Sequence, residues 1–184
     1  SSPATPSAAP TPRSSSIMAE RFLHELRLDD AGEESSATTR ERLKALFPRN
    51  AVRRMTQLGL TVGGVLHELP FAEDTAVVYA STFAESRALE DYLATFPRPS
   101  PALFQTSIHP SAVEQAFIAR NQPVATFLPL SGGDQLARQA LLAALLAPGA
   151  AVVLVGGEER GTWLLERDMA SARSFAFAAV LNDR

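Results

Sequence analysis

The stretch VATFLPLSGGDQLARQALLAALLAPGAAVVLVGG, residues 124–157, decides the fold. It opens with an apolar run, Val124 to Leu130, which predicts a buried strand. A Ser-Gly-Gly-Asp turn follows, and the Leu/Ala-rich residues 133–147 favour a helix. Pro148-Gly149 breaks the apolar run, and the Val-rich residues 151–157 favour a second strand. That strand lacks polar alternation, which is typical of a sheet covered on both faces.

Strands and helices alternate on both sides of this stretch. Residues 75–81 and 174–182 have the apolar runs of two further strands, and residues 84–96 and 111–120 have helical spacing of apolar residues. The helix over 133–147 is apolar nearly all round, so we expect it to be buried between layers. Strands that alternate with helices predict an α/β layered domain.

Two helices are predicted upstream of these elements. A capping box, Thr38-x-x-Glu41, indicates the start of the first helix, which Pro48 ends. The second helix is predicted over residues 50–69 with Asn50 as its N-cap. Three glycines interrupt this second helix, which indicates close packing against another element.

The N-terminal region has a different composition. Residues 1–17 are rich in Pro, Ser and Ala and predict disorder, because they cannot bury enough apolar surface to offset ordering. Residues 18–28 have a partly helical apolar pattern and predict a short helix, and residues 29–37 predict an acidic flexible linker. The sequence therefore predicts one folded domain over residues 38–184, preceded by a disordered segment.

Composition excludes several classes of chemistry. The chain has 184 residues, 46% of them hydrophobic, no cysteine and a formal net charge of -3. Without cysteine there is no disulfide, thiolate metal site or cysteine nucleophile. The three histidines lack metal-ligand spacing, and the basic residues are scattered along the chain. We therefore expect no metal, no other cofactor and no nucleic acid as ligands.

The sequence also predicts no membrane span and a cytoplasmic location. The uncharged run over residues 140–157 is interrupted by Pro148-Gly149, so a helix, a turn and a strand explain it better than a membrane helix. The first sixteen residues lack the apolar segment of a secretory signal.

Three segments that follow one another in a fixed order resemble a known family. Residues 100–119, 123–134 and 151–159, with RRMTQLGLTVGGVLHEL at 53–69 upstream, are similar to the N-terminal half of a β-ketoacyl synthase. They are closest to the divergent β-ketoacyl-synthase-like N-terminal domain family. The resemblance covers about residues 45–182 and rests on order and pattern. It implies a layered, thiolase-like half-fold, mainly one mixed sheet with helices on its faces.

The departures from that family decide the functional expectation. Ser131 stands where a working ketosynthase has its nucleophilic cysteine. A serine hydroxyl has a much higher pKa than a thiol and needs an adjacent base. The family's two catalytic histidines belong to a C-terminal half that this sequence does not contain. The resemblance therefore implies a non-catalytic ketosynthase-like subunit, akin to a chain length factor, in a polyketide, fatty-acid-like or aryl-polyene pathway.

An acyl-thioester-processing enzyme, a thioesterase or acyltransferase with Ser131 as nucleophile, is the alternative. His109 is then the candidate base, but LSGGD lacks the leading glycine of the G-x-S-x-G nucleophile turn. The simpler interpretation is that Ser131 caps the following helix and that His109 is a hydrogen-bonded residue at a helix entry. We favour the simpler interpretation. Gly156-Gly157 then permits a tight turn after a strand.

The resemblance also implies partners. In ketosynthases the strand before the nucleophile pairs with its counterpart across the dimer interface. Here that strand supplies the predicted interface residues Val124, Ala125, Thr126, Phe127 and Leu128. An uncharged apolar edge strand invites pairing, and a following proline limits the pairing to its first part. We expect a homodimer or a heterodimer with a ketosynthase-type subunit, and an acyl carrier protein as a further partner.

Overall fold

The computed structural model describes residues 20–183, and in this range five strands form one mixed sheet in the order β1-β5-β4-β2-β3. The strands are β1 (Phe22–Gly32), β2 (Ala76–Ser81), β3 (Thr126–Ser131), β4 (Ala151–Glu158) and β5 (Ser174–Asn182). β2, β3 and β4 are parallel, β5 is antiparallel to β4, and β1 is antiparallel to β5. β1 and β3 therefore form the two edges of the sheet.

Helices cover both faces of this sheet, so the predicted α/β layering is confirmed. They are α1 (Ser36–Leu43), α2 (Arg49–Val52), α3 (Gln57–Leu66), α4 (Ser86–Leu93), α5 (Pro101–Thr106), α6 (Ser111–Arg120) and α7 (Leu136–Leu146). Short 3₁₀ turns lie at Lys44–Leu46 and Leu165–Arg167. α3 and α6 pack on one face of the sheet, and α7 packs on the other. No helix within residues 20–183 has the length and apolar character that crossing a bilayer requires.

The central strand β2 is buried on both faces, which explains its unbroken apolar run. Val77 and Tyr79 point toward α3 and α6, and Val78 points toward α7. Successive side chains of a strand alternate between faces, so one uncharged strand contributes to two hydrophobic clusters at once. The sheet can bury β2 and β4 only because a helical layer covers each face.

The glycines of α3 allow neighbouring elements to approach closely, as predicted. A Cβ on Gly63 would lie 2.7 Å from the Phe47 ring, and one on Gly59 would lie 2.5 Å from the Gln115 side chain of α6. Gly156 serves the same purpose inside β4, where a Cβ would lie 2.3 Å from the Ala80 carbonyl oxygen. Gly156-Gly157 therefore does not form the predicted turn, because both residues belong to β4.

The structure corrects the predicted N-terminal boundary. The predicted helix over residues 18–28 and the predicted linker over 29–37 are wrong from Phe22 onward, because residues 22–32 form β1. β1 pairs with β5 from Phe22↔Asn182 to Gly32↔Ser174. This long-range pairing overrides the local helical pattern. The folded domain thus begins at Phe22 rather than Thr38, and the prediction of disorder over 1–17 lies outside the described residues.

Three helix boundaries also differ from the predictions. α1 begins earlier than the capping box suggested, since the Ser35 side chain accepts a hydrogen bond from the Thr38 backbone N–H. The predicted helix over residues 50–69 is divided into α2 and α3, and Thr56 rather than Asn50 provides the side-chain cap. α5 lies in a region that was predicted as a loop.

α7 is not buried between layers as predicted, because only one of its faces meets the sheet. Ala140 and Ala144 face β2 and β4, whereas Leu141 and Leu146 are 54% and 68% exposed. β1 continues this exposed apolar surface. Its Leu26 pairs with Ala179, which belongs to the α7-side cluster, and is 64% exposed. The apolar outer face of α7 therefore has no covering layer within the described residues.

A matched pair of substitutions tests the orientation of α7. Ala144→Asp places a charge against the sheet and should cost more than about 4 kcal/mol of unfolding free energy, the range of unpaired buried charges. Leu141→Asp places the same charge in solvent and should cost less than about 1 kcal/mol. Urea denaturation followed by circular dichroism measures both. Equal losses in the two variants would contradict the orientation.

Candidate functional site

Ser131, the position that corresponds to the ketosynthase nucleophile, is the last residue of the edge strand β3. It lies opposite the buried Ser81 of β2 in the β2–β3 pairing, and its exposed side chain makes no hydrogen bond with another residue of 20–183. It does not cap α7 as predicted. α7 begins at Leu136, five residues after Ser131, and its N-cap Gln135 makes no side-chain hydrogen bond. Ser131 is therefore free of a structural role in the helix that follows.

His109, the candidate base, lies just before α6 and packs against the sheet. Its ring stacks on Tyr79, with 5.0 Å between the ring centroids and an interplanar angle of 22°. Both ring nitrogens are buried and lack a hydrogen-bond partner in the described chain, so the predicted hydrogen bond at the helix entry is absent. His109 does not contact Ser131 through a hydrogen bond. The described structure therefore does not assemble the nucleophile and base of the alternative function.

Glu85 is a site residue that the sequence analysis missed. Its Oε1 atom accepts a hydrogen bond from the backbone N–H of Ala112 at 2.8 Å, and its Oε2 atom lies 3.6 Å from His109 Nδ1. The carboxylate thus holds the first turn of α6 and lies beside the imidazole. Nothing in the local sequence marks Glu85, because its partners lie more than twenty residues away in the chain.

Glu159, which follows β4 directly, joins two helices. Its side chain is fully buried, and its carboxylate accepts hydrogen bonds from the backbone N–H of Leu58 at 3.2 Å and of Ala88 at 3.1 Å. Leu58 lies in the first turn of α3 and Ala88 in the first turn of α4. Helix N-termini have unpaired N–H groups and a positive dipole end, so a carboxylate satisfies both helices at once.

Two further glutamates bind backbone N–H groups in the same region. The Glu158 carboxylate accepts from Thr82 and Phe83 in the loop after β2. Glu90 of α4 accepts from the backbone N–H groups of Thr162 and Leu164, which lie in the segment after β4. Together with Glu85 and Glu159, these residues form the buried carboxylate cluster, which fixes the loops at the carboxyl ends of β2 and β4.

Burial and hydrogen bonding change the proton affinity of these groups in different directions. Burial raises the pKa of Glu159 to about 7, although its backbone hydrogen bonds oppose that change. Burial also raises the pKa of Glu158. The pKa of Glu90 is lowered: burial raises it, but hydrogen bonds from Thr162 and Leu164 and the nearby Arg87 charge outweigh the burial. Burial raises the Tyr79 pKa well above its ordinary value, so this hydroxyl stays protonated.

The comparisons with known proteins give the fold and no family by sequence. No family profile matches the chain, and no curated protein matches its sequence. The solved structure of a ketosynthase (ApeO) in complex with its chain length factor (ApeC) from Xenorhabdus doucetiae matches with a TM-score of 0.66. That match has 19% identity and covers 88% of this chain and 78% of the other chain. The chain has a thiolase-like fold.

A second structure, the ishigamide ketosynthase/chain length factor, supports the same fold. It matches with a TM-score of 0.65 and 14% identity, and the match covers 88% of this chain. The chain spans 62% of that protein's chain, which is less than two thirds of its length. The fold implied by the β-ketoacyl synthase resemblance is confirmed by both matches.

The Glu159 site predicts a measurable pH dependence of stability. The folded protein binds a proton at Glu159 more tightly than the unfolded chain, whose glutamates titrate near the ordinary value of 4.5. This contribution to stability is fully present below that value and is lost as the pH rises through about 7. In Glu159→Gln, the unfolding free energy should therefore decline less between about pH 5 and pH 8 than in the wild type.

The matched control is Glu166→Gln, which neutralises an exposed glutamate. Urea denaturation at a series of pH values should give the Glu166 variant the wild-type slope. A Glu159→Gln slope equal to that of the wild type would show that Glu159 does not bind its proton differently in the folded state.

Proposed function

We propose that this chain is a non-catalytic, ketosynthase-like subunit that acts as a chain length factor does, in a polyketide, fatty-acid-like or aryl-polyene pathway. The observation that carries the proposal is the thiolase-like fold combined with a serine at the nucleophile position. The two matching structures are both ketosynthase and chain length factor complexes. Their sequence identity to this chain is 19% and 14%, so the support for the proposed role comes from the residues around Ser131.

The state of Ser131 favours a role without covalent chemistry. An acyl-transferring serine needs a base within hydrogen-bond reach. In the described structure Ser131 has no such contact, and the imidazole of His109 stacks on Tyr79 with the Glu85 carboxylate beside it. The His109 side chain is partly exposed, but its two ring nitrogens are buried, and they cannot accept a proton from a hydroxyl exposed at the sheet edge without a rearrangement.

The free edge of β3 supports association through a strand. Among the strands of residues 20–183, β3 pairs only with β2, so its other side presents backbone hydrogen-bonding groups without a partner strand from this part of the chain. Within the predicted interface, Val124 and Ala125 precede β3, and Thr126, Phe127 and Leu128 form its first half. The exposed Pro129 follows and is compatible with an edge strand. The proposed partner is a ketosynthase-type subunit, or a second copy of this chain.

An acyl carrier protein completes the proposed assembly. Pathways of this kind hold the growing acyl chain as a thioester, and the proposed complex would receive the chain in that form. We propose the cytoplasm as the site of this activity.

Charge on the β3 edge should prevent association. Thr126→Lys places an ammonium where two strands would meet, and the desolvation cost should weaken the complex by about tenfold or more. Ala37→Lys adds the same charge on the exposed surface of α1 and serves as the control. Analytical ultracentrifugation of each protein, alone and with the ketosynthase subunit from the same source organism, measures association. The proposed role would be refuted if the wild-type protein were strictly monomeric and also did not bind the ketosynthase subunit.

Ser131 should not become acylated. Incubation with acyl-thioester substrates, followed by intact-protein mass spectrometry, should show no added acyl mass, because no base activates the hydroxyl. Ser131→Ala should keep its partner binding and change the unfolding free energy by less than about 0.5 kcal/mol. Thr56→Ala removes a real helix cap and should cost about 1 kcal/mol. An acyl adduct that Ser131→Ala abolishes would establish the alternative, acyl-processing function.

A further inference from the structure

Two open clefts adjoin on the side of the sheet that α3 and α6 cover. The basic cleft, of about 750 Å³, lies between α1, the α2–α3 connection, α4 and α5. The apolar cleft, of about 690 Å³, lies between α2, the end of α5 and α6. Arg54, Met55, Gln105 and Thr106 line both clefts, so the two form one continuous depression. Each volume is in the range of small-molecule binding sites.

Arginines surround the basic cleft. Arg40, Arg53, Arg54 and Arg87 all line it. Within residues 20–183, Arg53 and Arg54 are exposed, and their side chains make neither a hydrogen bond nor an ion pair. Arg40 donates to the Met55 carbonyl oxygen through Nη2, and its buried Nε–H has no partner. The cleft therefore offers several guanidinium donors whose hydrogen bonds are unused.

The acidic groups in this cleft are already engaged. Asp91 pairs with Arg87 at 3.5 Å. Glu159 also lines the cleft, and its carboxylate accepts hydrogen bonds from the backbone N–H groups of Leu58 and Ala88. Neither carboxylate neutralises Arg53 or Arg54, so the cleft retains a net positive charge.

The apolar cleft lies beside the cationic groups. Its lining includes Ala51, Met55, Ile108, Ile118 and Ala119, together with the exposed Glu114. Ile118 is 79% exposed and Ile108 is 45% exposed. Two isoleucines that border a concave apolar surface next to a cationic cleft distinguish this region from scattered surface apolar residues.

We propose that the joined clefts bind one amphipathic anion: a small molecule with an acyl or alkyl chain and a carboxylate or phosphate head group. The planar guanidinium groups of Arg53 and Arg54 match the oxygens of either head group, and the chain extends past Met55 toward Ile108 and Ile118. No residue of β3 lines either cleft, and the inference does not rest on the proposed function.

The experiment uses the full chain and four probes: octanoate, octyl phosphate, octan-1-ol and inorganic phosphate. Isothermal titration calorimetry should show one saturable site for octanoate, octyl phosphate or both, and the affinities relative to each other identify the preferred head group. Octan-1-ol lacks the charge and inorganic phosphate lacks the chain, so each should bind about tenfold more weakly or worse. Added salt should weaken the binding of the anions.

Variants assign the two halves of the site. The double variant Arg53→Ala with Arg54→Ala should weaken the binding of the anionic probes by about tenfold or more. Ile118→Ser should weaken the binding of the probes that have an octyl chain. Arg138→Ala removes an exposed arginine on α7, on the opposite face, and should bind as the wild type does. The substituted side chains are exposed, so the variants should fold, which thermal denaturation checks.

The wild-type protein supplies an independent measurement. The sequence has three isoleucines, Ile17, Ile108 and Ile118, and two of them line the apolar cleft. In isoleucine-methyl NMR spectra, octanoate or octyl phosphate should shift the Ile108 and Ile118 signals.

Any of four results would overturn the proposal. If octan-1-ol bound as tightly as octanoate, the arginines would not contribute to binding. If inorganic phosphate bound as tightly as octyl phosphate, the apolar cleft would not contribute to binding. Wild-type affinity in the double arginine variant would place the anion elsewhere. If none of the probes bound saturably and the isoleucine methyl signals did not shift, the clefts would not be a binding site.

Discussion

The position of α3, α4 and α6 depends on the buried carboxylates at the carboxyl ends of β2 and β4. Glu159 accepts hydrogen bonds from the first turns of α3 and α4, and Glu85 does the same for α6. Each glutamate replaces the water that would otherwise satisfy a helix N-terminus. The helices that cover one face of the sheet therefore converge on groups that the strands and their following loops supply. Such a cluster costs desolvation, and the raised pKa of Glu159 reflects that cost.

The two faces of the sheet are covered unequally, and this inequality supports the proposed association. One face has α3 and α6 and the large cluster that includes Val77 and Tyr79. On the other face, α7 is the covering helix within the described residues, and the leucines of β1 remain exposed beside it. Together with the unpaired edge of β3, this face accounts for much of the apolar surface that the described chain does not cover with its own residues. A protein that exposes such surface is suited to association rather than to an isolated existence.

The sequence predicted the parts of the fold that local patterns encode. The strands β2, β4 and β5 and the helix α6 follow from apolar runs and helical spacing, and the order of segments predicted the thiolase-like layering. β1 was missed because Phe22, Leu23 and Leu26 have a partly helical spacing, while the pairing that makes them a strand comes from β5 at the other end of the chain. α7 was predicted as fully buried because composition does not say how many layers surround a helix. Of the site, Ser131 and His109 were found by resemblance. Glu85 and Glu159 could not be found, because their partners are backbone groups brought near only by the fold.

The pairing of β1 with β5 has a consequence for how the chain is made. Among the strands within residues 20–183, β1 is translated first and pairs in the sheet only with β5, which is translated last. During translation, β2, β3 and β4 can associate as a parallel unit with the helices between them. The leucines of β1 remain exposed to solvent until β5 is synthesised. Contacts between distant parts of a chain form slowly, and exposed apolar strands aggregate in the interval. A nascent chain of this kind benefits from a chaperone, or from a partner subunit that is translated close by and covers the waiting strand.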